Sequence, residues 1–303
     1  MDGTPGSAAD GQRRPFAAHP PDWRIVETAG AGPFVSRVVY EDTGGQRLEW
    51  TSRRHRTGGG LRAEGAGHPA VAPAHTAATP VVRLLGWWIG VLFMIGSTAF
   101  ALGSMPFFST RVDPRAVAMT FVVGAIFFTS AAALQHLQTL RARRTVARDA
   151  VPDPRGPVAR LFEPGRIDWW ATAVQLVGTV FFNITTIAAL NDALDTHEAI
   201  VRVWAPDALG SICFLVASEL ALLEVCHRWW CRAGGDVGRR IARLNMVGSI
   251  FFGASAITSF ILPSTGEVID AEATNAFTFL GAVCFLLGAW LVSAEARATR
   301  AAS

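Results

Sequence analysis

The sequence predicts an all-α membrane protein: about six transmembrane helices as three parallel two-helix repeats, behind a small, partly disordered N-terminal cytoplasmic region with a β-hairpin. Three observations carry this reading. Composition is the first. Of 303 residues, 50% are hydrophobic and 17% charged, with a mean hydropathy of +0.31; an ordinary soluble domain has roughly 25% charged residues. The second is a motif pair that recurs three times. GSTAF from Gly96, GTVFF from Gly178 and GSIFF from Gly248 are each followed, at similar separations, by GAIFF from Gly124, GSICF from Gly210 and GAVCF from Gly281. The third is a one-sided distribution of arginine.

Residues 1–80 form a distinct block. FVSRVVYEDTGGQRLEW has two β-favouring runs, Phe34–Tyr40 and Arg47–Trp50, around Thr43-Gly44-Gly45, which predicts a hairpin over 34–50. The Gly/Ala/Pro-rich stretch 57–80 reads as a flexible linker. The opening residues have no apolar h-region, so the N-terminus is expected in the cytoplasm.

Six apolar segments follow: Leu84–Phe107, Ala116–Leu137, Trp169–Leu190, Ala208–Cys226, Ala242–Leu262 and Ala276–Val292. Each approaches the roughly 20 residues a helix needs to cross a bilayer. They pair into membrane hairpins at 81–140, 166–230 and 239–297. Pro106, Pro114, Pro206 and Pro263 are expected at helix ends, and the pairs Trp87-Trp88, Trp169-Trp170 and Trp229-Trp230 at the interfaces. Arg141, Arg143, Arg144, Arg148, Arg155, Arg160 and Arg166 fill the loop after the second span; Arg228, Arg232, Arg239, Arg240 and Arg243 fill that after the fourth. Asp192, Asp195, Glu198, Asp207, Glu267, Asp270 and Glu272 fall on the other side. The positive-inside rule then places both termini in the cytoplasm of a bacterial inner membrane. The basic loops are expected to meet anionic lipid, and the N-terminal region to offer a surface to a protein partner. The net charge of +3 reads as topology, so no nucleic acid is expected.

Small residues let helices approach closely in lipid, so Gly96, Gly178, Gly248, Gly124, Gly210 and Gly281 are read as helix-packing positions. Phe100, Phe182 and Phe252 lie one turn beyond the odd-helix glycines and can fill a neighbour's groove. The paired helices resemble the YrhK-like domain, a small bacterial two-helix membrane module. The chain resembles three such modules behind an N-terminal extension, over most of residues 84–295, as in integral membrane proteins of actinobacteria. The resemblance implies the fold and carries over no catalytic or ligand-binding residue.

Polar residues within spans are where function is sought, because their burial is costly. Glu219 lies within hydrocarbon by register, where an ionised carboxylate costs about 3 kcal/mol; its register equivalents are Ala133 and Trp290. Gln175, Thr179 and Asn183 share one helix face. With Glu219 they form the candidate intramembrane polar site, either as interhelical hydrogen bonds or as a wet path. Glu224 and its register equivalents Gln138 and Glu295 are each expected to pair with nearby arginines such as Arg228, Arg141 or Arg297. His136 is expected to be solvated, and Cys213, Cys226, Cys231 and Cys284 to act as small hydrophobes. The chain has no H-E-x-x-H, G-x-S-x-G, Walker A or metal-spaced Cys/His pattern, so no catalytic residue, metal or cofactor is predicted. The reading is a non-enzymatic scaffold or sensor; the alternative is a small-solute or ion/proton channel or transporter with a polar path near Glu219. Oligomeric state stays open.

Overall fold

The computed structural model describes residues 19–64, 80–142, 161–227 and 235–301. In the N-terminal domain, apolar residues alternate along β2 (Arg37–Glu41) and β3 (Arg47–Thr51), pairing Val38 with Trp50 and Tyr40 with Leu48 on one face. Asp42 closes the turn: its carboxylate accepts from the Gly44 and Gln46 amides, and Gly45 takes φ +76°. The domain is larger than a hairpin. β1 (Arg24–Ala29) and β4 (Arg62–Ala63) flank the pair in an antiparallel sheet ordered β1-β2-β3-β4. Both were missed because their charged residues face outward; Arg37 pairs with Glu27 and Glu49 across three strands. The core of Val38, Tyr40, Leu48, Trp50 and Leu61 is completed by Trp23 and Ile25. The short helix α1 (Ser52–Arg56) follows β3 directly. Of the expected linker, 57–64 is folded and 65–79 lies outside the described residues.

Among the described residues, six helices are long and apolar enough to cross a membrane, which makes this a multi-pass membrane protein. They are α2 (Pro80–Ser104), α4 (Pro114–Leu140), α5 (Ile167–Ala188), α7 (Ala205–Cys226), α8 (Val237–Thr258) and α9 (Ala271–Ala301). The short helices α3 (Pro106–Ser109) and α6 (Thr196–Ala199) lie between them. Pro114 opens α4, and the Asp113 side chain accepts from the Arg115 amide there. Pro206 differs from expectation. It sits within a helical run from Thr196 to Cys226, just after a π-helical stretch, Ile200–Trp204, that absorbs its missing amide. Glu198 and Arg202 are therefore helical and paired at 3.2 Å.

Each long helix packs on the next, and α9 packs on α2, so the six close into a ring. Two kinds of seam alternate around it. Within each sequential hairpin, the seam is glycine against phenylalanine, and reciprocal. A Cβ on Gly96 would meet the Phe128 ring at 2.6 Å, and one on Gly124 the Phe100 ring at 2.7 Å. Gly178 likewise seats Phe214 and Gly210 seats Phe182, while Gly248 seats Phe285 and Gly281 seats Phe252. Two seams between hairpins are joined by polar side chains. Asn183 donates to Thr129 across α4–α5, and Ser249 pairs with Ser218 and donates to the Phe214 carbonyl across α7–α8. Across α9–α2, a Cβ on Gly90 would lie 2.2 Å from Ser293 Oγ.

The six phenylalanines converge on the axis. Phe100, Phe182 and Phe252 form one triangle, with centroids 5.8–6.3 Å apart. Phe128, Phe214 and Phe285 form a second at 5.5–6.2 Å. Centroid distances of 5.1–5.5 Å link the two layers. The middle of the bundle is thus a filled aromatic core.

Candidate functional site: a polar cavity beneath the N-terminal domain

The N-terminal domain sits on the bundle end where α5 and α8 begin and α4, α7 and α9 finish. Its α1 supplies the contact. Arg53 makes a bidentate bond to Glu295 of α9, at 2.9 and 2.7 Å. One turn on, Arg56 Nη2 donates to Glu224 of α7 at 2.9 Å, and Ser52 donates to its other oxygen. Glu224 and Glu295 are the register-equivalent carboxylates. Their described partners come from α1, which folds over the helix ends from far away in sequence. Arg228 lies outside the described residues, as do the arginines between 143 and 160, Arg232, Cys231 and Trp229-Trp230.

Arg56 also faces Asp168, with Nε 3.7 Å from the carboxylate, and Asp168 binds Arg166 through both oxygens at 3.0 and 2.6 Å. Arg56, Asp168, Glu224 and Arg166 are all under 10% exposed, so these charges interact in a low-dielectric setting. Burial alone would lower the pKa of Arg166; the carboxylates of Asp168 and Glu163 more than offset it and raise the value. His227 ends α7 in the left-handed conformation and bonds Ser36 at 2.8 Å. Burial, then the charge of Arg37, push its pKa down to about 4. Ala31 and Phe34 pack on Ile167, Leu220 and Leu223 to complete the interface.

Between this ionic layer and the phenylalanine core lies a cavity of about 30 Å³. At roughly 10–15 Å³ per water, it has room for two or three. Phe214 and Phe285 form one end and Arg56 with Glu224 the other. Gln135 of α4, Gln175 of α5 and Asn245 of α8 line the wall between them, and no hydrogen bond joins any of these amides to another described residue. Arg56 Nε also has no hydrogen-bond partner among the described residues. Leaving a buried group such as this nitrogen unsatisfied costs about 1–3 kcal/mol, and with three half-buried amides beside it the space is suited to hydrogen bonding.

The sequence-derived site is divided by this geometry. Gln175 lines the cavity. Thr179 is fully buried and donates within its own helix to Leu176, and Asn183 holds the α4–α5 seam. Glu219 is exposed on the outer face of α7 and does not line the cavity. Its equivalents Ala133 and Trp290 are exposed too, a signal that sequence register already contained. His136 is not simply solvated: it bonds Thr172 at 3.0 Å and packs on Trp169. Cys213 and Cys284 are free, but Cys226 is disulfide-bonded, so the small-hydrophobe expectation fails where α7 leaves its apolar stretch. Arg56, Asp168 and Asn245 were missed; the amide at Asn245 was legible as the counterpart of Gln175, each three residues before a motif glycine. Among the described residues, no His, Cys, Asp and Glu cluster could hold a metal. Comparison with protein families, curated proteins and solved structures finds no match to the chain.

Proposed function

We propose that this protein is a non-enzymatic sensor or scaffold of a bacterial inner membrane, built from three YrhK-like two-helix modules and carrying its N-terminal domain on the cytoplasmic side. The observation that carries the reading is the pair of phenylalanine triangles, which fill the axis between the described helices with aromatic rings. The clamp of α1 on Glu224 and Glu295 supports a bundle whose state is reported through the attached domain. The glycine seats, alike in all three hairpins, support the modular reading. The arginine-rich loops support a cytoplasmic placement of this end, against anionic lipid.

The alternative, a small-solute or ion channel or transporter, draws on the polar cavity, which stops at Phe214 and Phe285. Proton and monovalent-cation flux into proteoliposomes separates the two. Vesicles with folded wild-type protein are expected to stay tight, and Glu219→Gln to change nothing. Protein-dependent flux would establish the alternative.

A further inference from the structure

The cavity is closed by a helix from a different folded unit. The N-terminal domain has its own core, separate from the aromatic core of the bundle. Much of what joins them is polar: Arg53 on Glu295, Arg56 and Ser52 on Glu224, and Ser36 on His227. Interfaces of this kind within a chain permit relative motion of the parts. Arg56 is at once a wall of the cavity and part of that interface.

The lining specifies what fits. Gln135, Gln175 and Asn245 each offer an N–H donor pair and a carbonyl acceptor, and none is used by a described residue. The charge of Arg56 is balanced by Glu224. A bare cation in the cavity would meet the guanidinium, and a bare anion would meet Glu224, with Asp168 behind Arg56. A neutral molecule bearing both donors and acceptors matches every group.

We propose that the cavity is a binding site for a small neutral molecule of the short-amide class, and that α1 is the lid over it. The inference rests on the sensor reading, whose ligand it names by chemistry. Lid opening would disengage Arg56 from Glu224 and move the N-terminal domain, so occupancy and domain position are linked.

The test is cysteine accessibility in the full-length protein in detergent, with formamide as the probe. Ala221→Cys places a thiol on the cavity wall, and a small water-soluble methanethiosulfonate reports access, with the parent chain as background. Labelling is expected to be slow in this variant and about fivefold faster with Arg53→Ala added, as loss of one partly buried ion pair implies. Formamide is expected to slow it severalfold, and sodium chloride at the same concentration is not. Equal rates with and without Arg53 would overturn the lid, and labelling no faster than the parent's would overturn the site. Faster labelling that formamide leaves unchanged would reduce the cavity to a water pocket and overturn the ligand. Ala217→Cys, on the same wall, repeats the measurement should Ala221→Cys misfold. Labelling in detergent does not depend on whether vesicles leak, so this proposal and the non-transporting reading fail separately.

Discussion

The middle of the bundle and the end beneath the N-terminal domain are built on the same six helices, yet one is dry and the other polar. In the middle, the residue four after every motif glycine is phenylalanine, and equivalent rings fill equivalent space. Two turns toward the N-terminal domain the equivalence breaks: the residues three before the odd-helix glycines are Phe93, Gln175 and Asn245. Phe93 packs on Phe128, while the two amides border the cavity. The same register holds Gln138, Glu224 and Glu295 at the helix ends, where the two carboxylates take an arginine from α1. The common pattern makes the scaffold, and departures from it make the site.

Four measurements bear on this contrast. Phe214→Ala removes a ring shared by the aromatic core and the cavity floor, and should lower unfolding stability by about 3–5 kcal/mol; a cost below 1 would mean the middle is not tightly packed. Glu224→Ala leaves Arg56 with the more distant Asp168 and should cost about 3–5 kcal/mol at most, read as faster hydrogen exchange in α1 with the bundle amides unchanged. Unchanged exchange in α1 would show that the clamp is not what holds it.

Acidification comes next. His227 faces Arg37 and Arg239 as well as Glu49 and Asp236. Its folded pKa, about 4, lies below the ordinary value near 6.5, so its neutral form supports docking fully above the latter. That support is lost as pH falls through the folded value, costing up to about 3 kcal/mol. His227→Asn keeps a residue tolerant of the left-handed conformation and should flatten this part of the pH profile. Gln175→Leu should be the mildest change, neutral or stabilising by about 1 kcal/mol, because the amide it removes bonds to no described residue. A marked loss would reveal a partner for this amide.

The spans were legible because six apolar runs of membrane length need only one-dimensional information. The glycines were legible as packing positions because their motif recurs. Closure of the ring, and the meeting of all six rings on its axis, were not, since each depends on helix rotation. Glu219 shows the same limit: register gave its depth and a face had to be assumed, although Trp290 at the equivalent position, 54% exposed, pointed outward. The partner of Glu224 was out of reach for a different reason. Ser52 and Arg56 stand more than 160 residues away in sequence, and no local pattern links them.

The reciprocal glycine–phenylalanine seats also bear on how the protein is made. Both seats of a pair lie within one hairpin, so each hairpin has all the partners of its own seam once its second helix has been synthesised. The polar seams come later, as successive hairpins arrive side by side, and the contact of α9 with α2 waits for the last helix. Biogenesis can therefore run as three self-sufficient insertions followed by one closure. A ribosome stalled before α9 would leave two finished hairpins and an open ring, with the α2 edge awaiting its neighbour.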